Sequence, residues 1–461
     1  MTGMPAHRPS RSSKPSTGFV LLCVLFAALL FAGGASRADV LGQAVVRATA
    51  WGALVVAALW GSVPDLRVAR WPLLFLAAAF VLVLVQLVPV PPAVWQALPG
   101  RAPFEEPARL LGEAQPWRTI AIVPDAAINA ASSLVVPLAV LLLIAGLRDR
   151  ERDWLPGLLL GLILVSTLIG LMQFSGAAFD HPLLNDTPGD VNGGLANRNH
   201  FALLLAIGCL LAFRWAFPDG RSGRWRLPAA FGILLVFLLT ILATGSRMGM
   251  VLGVIAVVLG LLLARGAIRR EFRHAPRWVF PAVVAGVVAV VAALVLLSVV
   301  ADRAASIDRV IGLDAAQDVR ARALPTVLNM IATYFPVGTG YGSFDPLFRM
   351  HEPFHLLKPT YFNHAHNDFL EIALDGGVGG ILLLAASLGW WAIASVRAWR
   401  AGSALRCLGS AILLLVFVAS LSDYPARTPI VMAVVAVASI WLNGRGEAGE
   451  RPTLPARGQQ L

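Results

Sequence analysis

At 461 residues, with 57% hydrophobic and only 14% charged side chains and a mean hydropathy of +0.74, the sequence is too apolar for a soluble globule, whose charged share is about one quarter. It reads instead as a polytopic membrane protein. The formal net charge of +11 is spread over short loops between apolar runs, where it sets topology, so nucleic acid is excluded as a partner. Cys23, Cys209 and Cys407 lie in or beside apolar segments without paired spacing, which implies neither a disulfide framework nor a thiolate metal site.

In chain order, a polar start carrying Arg8, Arg11 and Lys14 precedes an apolar run from Phe19 to Ala35, read as a retained first span rather than a signal peptide. Apolar runs long enough to cross a bilayer as helices follow, centred on about residues 53, 80, 137, 164, 207, 235, 256, 289, 387, 414 and 436. The expected fold is therefore all-α, a polytopic transmembrane helical bundle of about twelve spans with a large outer loop between spans nine and ten. With the N-terminus inside, Arg67 and Arg70, then Arg148, Arg150 and Arg152, then Arg214, Arg221, Arg224 and Arg226 all fall in cytoplasmic loops. Arg265, Arg269, Arg270, Arg273 and Arg277, then Arg397, Arg400 and Arg406, and a tail with Arg445, Arg451 and Arg457 continue the pattern. Every even loop is arginine-rich, as the positive-inside rule requires, and both termini are expected to be cytoplasmic.

Four segments of unusual composition then share the outer face: residues 89–126, residues 174–199, the tight turn Thr244–Arg247 and the long loop 301–376. The first opens on Pro89, Pro91 and Pro92 and carries Trp95 and Trp117, which suggests a short cap with aromatics at the headgroup level. Asn197, Arg198 and His200 end the second, where they either cap the next helix or offer donors to an anion at its N-terminus. Arg247 has almost no loop to hold it in water and must find carbonyls, a carboxylate or a ligand phosphate, or else snorkel. Arg47, near the outer end of the second span, reads as a snorkeller.

The long loop is expected to form short helices with turns at its prolines. Its run Gly338-Thr339-Gly340-Tyr341-Gly342 lacks the strand and crossover of a dinucleotide site, but a glycine turn at Gly340 presenting backbone N–H groups to phosphate is open. His351-Glu352-Pro353-Phe354-His355 matches a zinc-protease pattern that works only on a continuous helix, and Pro353 breaks it. His364 and His366 have no third metal ligand at a telling spacing, and no metal or other cofactor is expected. They belong to the densest polar stretch of the chain, residues 361–380, where Asn367, Asp368, Glu371 and a run of glycines lead into a hydrophobic helix.

Taken together, Asn197-Arg198-Asn199, Ser246-Arg247, Arg320, the Gly338–Gly342 run, and His364-Ala365-His366-Asn367-Asp368 with Glu371 and Gly376–Gly380 resemble the O-antigen ligase and polymerase family of bacterial inner-membrane glycosyltransferases. The likeness covers roughly residues 160–440, so the chain divides into N-terminal spans (1–160, with cap loop 89–126), a ligase-like core (161–445, with loop 301–376) and a tail (446–461). The resemblance implies a glycan donor on undecaprenyl diphosphate, metal-independent transfer to a hydroxyl of a glycan or lipid acceptor, and a site facing the periplasm. It matches the family's functional residues to Arg247, Arg320 and His366, with Arg322 the alternative to Arg320 because the tryptophan usual after the loop arginine is absent. Chemistry fits: arginines bind phosphate bidentately as the leaving group gains charge, and a histidine orients or deprotonates the acceptor. Asn197, Arg198, His364, Asn367, Asp368, Glu371 and Gly340 complete the expected substrate-binding set, Asp368 or Glu371 holding the His366 imidazole or else capping the helix. A repeat-unit polymerase differs from a ligase only in its acceptor. A transporter would instead place ionisable groups near the midplane in related halves, and no repeat is visible.

Overall fold

The computed structural model describes residues 14–176, 181–185, 189–218, 225–271, 315–357 and 362–444, with the backbone alone at 271 and 315–319. The apolar runs form helices α1 (Thr17–Ala32), α2 (Leu41–Trp60), α3 (Arg70–Gln86), α4 (Pro92–Gln96), α5 (Ala102–Leu111), α6 (Pro124–Ser133), α7 (Val135–Ala145), α8 (Asp149–Arg152) and α9 (Leu155–Phe174). The second half adds α10 (Arg198–Ala216), α11 (Arg226–Ala243), α12 (Arg247–Glu271), α13 (Ala315–Tyr334), α14 (Phe344–His351), α15 (Asp368–Ala401), α16 (Ala404–Ser420) and α17 (Pro429–Asn443). Among the described residues, seven helices are long and apolar enough to cross a membrane: Leu41–Trp60, Pro124–Ala145, Asp149–Phe174, Arg198–Ala216, Arg226–Ala243, Arg247–Arg270 and Asp368–Ala401. Shorter apolar helices stand at Thr17–Ala32, Arg70–Gln86, Ala404–Ser420 and Pro429–Asn443. The run centred near residue 289 lies outside the described residues.

Helix α10 is apolar on every side, and a helix with no polar face must be surrounded. It packs against α9, α11, α12 and α16, with Phe201, Leu204, Cys209 and Leu211 fully enclosed. Helix α1 buries Leu22, Leu25, Phe26 and Leu29 in the same core, against α2 and α7.

Contacts between loops sort the bundle into two ends. At one end, Ser16 binds Glu151, Ser62 Oγ donates to the Gly146 carbonyl, and Asn443 Nδ2 donates to the Val68 carbonyl. At the other, Ala196 N donates to the Gly34 carbonyl, Ile430 N to Gly33, and Gly42 N to Leu183. The segments grouped on one face by their charge pattern thus meet one another in space.

The 89–126 segment folds as a cap. Strand β1 (Pro89–Val90) pairs antiparallel with β2 (Arg118–Thr119), with α4 and α5 between them. Trp95 is buried, donating from Nε1 to the Thr119 carbonyl at 2.9 Å, with the Arg118 guanidinium 4.9 Å from its ring centre. That corrects the expectation of a headgroup-level aromatic for Trp95, which pins the cap from within, while Trp117 is exposed. Arg101 is enclosed between the Trp95 and Tyr334 rings and donates from Nη2 to the carbonyls of Ile120 and Gly338, joining the cap to the long loop.

The long loop contains the short helix α14 but departs from the expected turns at its prolines in α13, which continues through Pro325. Ala323, Val327, Met330 and Tyr334 form one buried stripe against Phe344, Leu347, Phe348 and Leu374, and this burial outweighs the hydrogen bond that proline removes. His351 does end a helix, and after Pro353 a 3-10 turn carries His355, so the two histidines share no helical face.

Candidate functional site

Helix α15 begins at the polar stretch 362–368. Asn367 caps it, its Oδ1 accepting from Leu370 N at 3.0 Å, while its Nδ2 reaches the Leu421 carbonyl at 2.9 Å. The spacing of Asp368, Glu371 and Asp375 puts three carboxylates on one side of the helix, all buried. Arg427, from the 3-10 turn Pro425–Arg427, faces all three: Nε lies 3.5 Å from Asp368 Oδ1, Nη1 3.2 Å from Glu371 Oε1, and Nη2 3.6 Å from Asp375 Oδ2. Burial would lower the Arg427 pKa, but Glu371, Asp375, Asp368 and Tyr341 together raise it above its ordinary value, so it stays a cation.

Glu371 is also the partner of His364, at 2.9 Å from Nδ1 to Oε1, and accepts from Ala365 N at 2.9 Å. His366 belongs to another carboxylate. Its Nδ1 lies 3.1 Å from Oδ1 of Asp423, in the short turn after α16, so neither Asp368 nor Glu371 holds this imidazole as expected. Among the described residues, His366 is the one non-glycine with positive φ, at 49°, a backbone position that costs about 1–3 kcal/mol and is retained where the surroundings impose it.

Asp423 is the hub. Its Oδ2 accepts from Asn199 Nδ2 at 2.7 Å and Asn197 Nδ2 at 3.1 Å and faces Arg320 Nη2 at 3.7 Å, while Oδ1 accepts from its neighbour Tyr424 N and lies 3.8 Å from His200 Nε2. Burial would raise the Asp423 carboxyl, but the His366 hydrogen bond and the nearby histidines and Arg320 hold it well below the usual carboxylate range. Burial pushes His366 below its ordinary value against the opposing pull of Asp423. The resulting pair is a neutral imidazole oriented by a carboxylate. Arg320, on α13, also donates from Nη1 to the Ser422 carbonyl at 3.1 Å, which fixes its guanidinium beside the acid while leaving 28% of the side chain exposed.

Asn199 extends the cluster to the next helix: its Oδ1 accepts from Ser246 Oγ at 2.8 Å, and Ser246 Oγ accepts from Gly249 N at the start of α12. Arg247 follows directly, its side chain exposed at this helix N-terminus. Tyr424 packs against both histidines, tilted at 4.2 Å from His364 and edge-on at 5.0 Å from His366 between ring centres.

Three expected residues go elsewhere. Arg322 is exposed and donates from Nη2 to the His355 carbonyl at 2.7 Å, so of the two candidates it is Arg320 that meets Asp423. Arg198 is exposed beside Asp190 at 3.8 Å. Gly340 does not cradle phosphate: its N–H donates to the Asp375 carbonyl, Thr339 N to Leu374, and Gly342 N to Asp375 Oδ2. The glycine turn instead fills a break in α15, where Gly377 has φ 55° and Val378 N donates to the Pro336 carbonyl. A Cβ on Gly338 would stand 2.7 Å from the Asp375 carbonyl oxygen, so the close approach demands glycine.

Asp423, Arg427 and Tyr424 were not singled out from sequence. The signal was present, since Asp423 is the one acid between Gly402 and Gly444, and a lone acid between two apolar runs is expensive unless used.

Residues 231–385 match the family model described as O-Antigen ligase. Over these residues the chain is similar to the O-antigen ligase family. No curated protein matches the chain. The matched region contains Arg247, Arg320, the glycine turn, His364, His366 and the three acids of α15, whereas Asn197, Asn199, Asp423, Tyr424 and Arg427 come from segments on either side of it.

Proposed function

We propose that the chain is a glycosyltransferase of surface-polysaccharide biosynthesis, moving a glycan from undecaprenyl diphosphate to an acceptor hydroxyl without a metal ion. The observation that carries this reading is the Asp423–His366 pair beside Arg320. With Nδ1 engaged by Asp423, His366 keeps Nε2 for the acceptor hydroxyl. As the acceptor oxygen bonds to the anomeric carbon and the carbon–phosphate oxygen bond breaks, the hydroxyl proton passes to Nε2 and the electron pair leaves with the diphosphate. Asp423 stabilises the imidazolium that forms, and Arg320, with Arg247 at the adjoining helix terminus, offsets the charge growing on the leaving group. Asn197 and Asn199 position the carboxylate, and His364 closes the neighbouring wall.

The setting we propose is the bacterial inner membrane, crossed about twelve times, with both termini cytoplasmic and the cluster facing the periplasm. Support comes from the alternation of arginine-rich loops and from the meeting of the opposite loops at one end of the bundle. Ligase and repeat-unit polymerase share this chemistry and differ in the acceptor. The test is a transfer assay in membranes with a lipid-linked donor: His366→Ala and Arg320→Ala each reduce product at least a hundredfold at normal expression, and wild-type transfer by both variants refutes the assignment. In cells lacking the protein, long glycans left on the carrier lipid identify a ligase, and single capped units a polymerase.

A further inference from the structure

His200 is a buried titratable group that the transfer step leaves unused. It stands in the first turn of α10, 2% exposed, and packs edge-on against the Tyr424 ring at 5.1 Å between centres. Its two ring nitrogens meet different partners. Nδ1 lies 3.0 Å from Thr428 Oγ1, in the residue that precedes α17. Nε2 faces Asp423 Oδ1 at 3.8 Å and has no hydrogen-bond partner among the described residues. Oδ1 is also the oxygen that holds His366 Nδ1 at 3.1 Å, so two imidazoles from distant parts of the chain address one carboxylate oxygen.

A neutral imidazole carries one proton, and its neighbours choose the nitrogen. With the proton on Nδ1, the bare lone pair of His200 Nε2 would point at a carboxylate oxygen, negative against negative. With the proton on Nε2, the N–H dipole turns its positive end toward Asp423, and the Nδ1 lone pair accepts from the Thr428 hydroxyl. That hydroxyl can donate or accept, so the carboxylate decides. At 3.8 Å the contact is longer than a hydrogen bond and acts as a dipole on a charge, strengthened by the low dielectric of a buried site. The other groups around the pair act elsewhere: Arg320, Asn197 and Asn199 face Oδ2, and His364 lies across the Tyr424 ring. Among the described residues, Oδ1 is answered by His366, by Tyr424 N and by His200.

We propose that His200 is a positioning residue that acts through Asp423: its Nε2–H, fixed in that tautomer by the Thr428 hydroxyl, offsets part of the charge on Oδ1 and so loosens the hold of the carboxylate on the His366 proton. An unopposed buried carboxylate would keep His366 an imidazolium, which cannot accept a proton from a hydroxyl. The second histidine keeps the first one a base. That consequence for transfer rests on the proposed function, whereas the arrangement of Thr428, His200, Asp423 and His366 does not.

The test is a histidine titration of the full-length protein in nanodiscs, read by NMR of ring-labelled histidine, with the His366 and His200 signals assigned from His366→Ala and His200→Phe. His200→Phe is expected to raise the His366 midpoint by about one pH unit. His200→Gln, whose amide N–H can stand where Nε2 stood, is expected to restore it toward wild type. The sign separates this role from a structural one. Were His200 only packing, its loss would loosen the contact between Asp423 and His366 and lower the midpoint, as Asp423→Asn does. An unchanged or lowered midpoint in His200→Phe overturns the proposal. Should that variant not fold, the wild-type protein decides: ring nitrogen shifts of an Nε2–H tautomer at His200 support the proposal, and those of an Nδ1–H tautomer overturn it. The transfer assay is a separate reading. A raised NMR midpoint without a matching rise in the acid limb of activity would refute His366 as the base while leaving the inference about His200 standing.

Discussion

Replacing Asp423 by Asn is the sharpest test of the site. The change is nearly isosteric, but it removes the charge and turns one acceptor oxygen into a donor. Oδ1 serves His366, Tyr424 N and His200, and Oδ2 serves Asn197, Asn199 and Arg320, so either amide orientation sets an NH2 group against donors. With the NH2 toward His366 the imidazole loses the acceptor that holds its proton on Nδ1; with the oxygen toward His366 it keeps an acceptor but loses the charge, and the NH2 then opposes Asn197, Asn199 and Arg320. General-base catalysis contributes about 10²–10⁴ in rate, and Asp423 acts through His366, so its removal should cost no more than His366→Ala does, about 10²–10⁴ in kcat. The double variant should be no worse than the poorer single one. The pH profile gives an independent reading. In the proposed mechanism activity requires neutral His366, so the acid limb follows the imidazole pKa. Asp423 raises that pKa against the effect of burial, and its loss must move the limb to lower pH. A lipid-linked donor assay across pH measures both quantities. Full activity in Asp423→Asn, multiplicative losses in the double variant, or an acid limb displaced upward would refute the reasoning.

Arg320→Ala and Arg322→Ala should separate cleanly. The first removes the cation beside Asp423 and lowers transfer at least about a hundredfold, whereas the second removes an exposed contact to the His355 carbonyl and should stay within about twofold of wild type, as surface substitutions usually do. Arg427→Met leaves three buried carboxylates without their shared cation, and breaking such a pair costs about 3–5 kcal/mol, so purified protein should show a markedly lower thermal midpoint. An unchanged midpoint would mean that the three acids are neutral in the folded protein. Gly377→Ala forces a side chain onto φ 55°, with its Cβ driven into the Pro336 carbonyl oxygen, and should cost at least about 1–3 kcal/mol, measurable as a lower midpoint.

Much of this architecture was legible because the bilayer constrains sequence strongly. An apolar run must satisfy its backbone as helix, and arginines collect on one side, so helices and the grouping of loops follow from composition alone. The site was legible where its residues are neighbours in sequence, as in the His364–Glu371 stretch. It was misread where the decisive partner is distant: Asp423 stands 57 residues from His366, in a turn with no motif of its own. The glycine run misled for a related reason. Backbone N–H groups look available in a sequence, but here the break at Gly377 consumes them.

The sequence by itself determined that this is a mostly helical chain with membrane-type helices, and it pointed to His366 and Arg320, which the fold brings to the same carboxylate, Asp423. Local hydrophobic periodicity and charge placement carry that information. Only the tertiary structure decided which carboxylate serves which histidine, that Arg320 rather than Arg322 meets the site, and that Arg47, read as a snorkeller, turns inward to Asn129 on α6. Those outcomes depend on how helices far apart in the chain pack, and hydrogen bonds a few ångströms long are fixed by that packing alone.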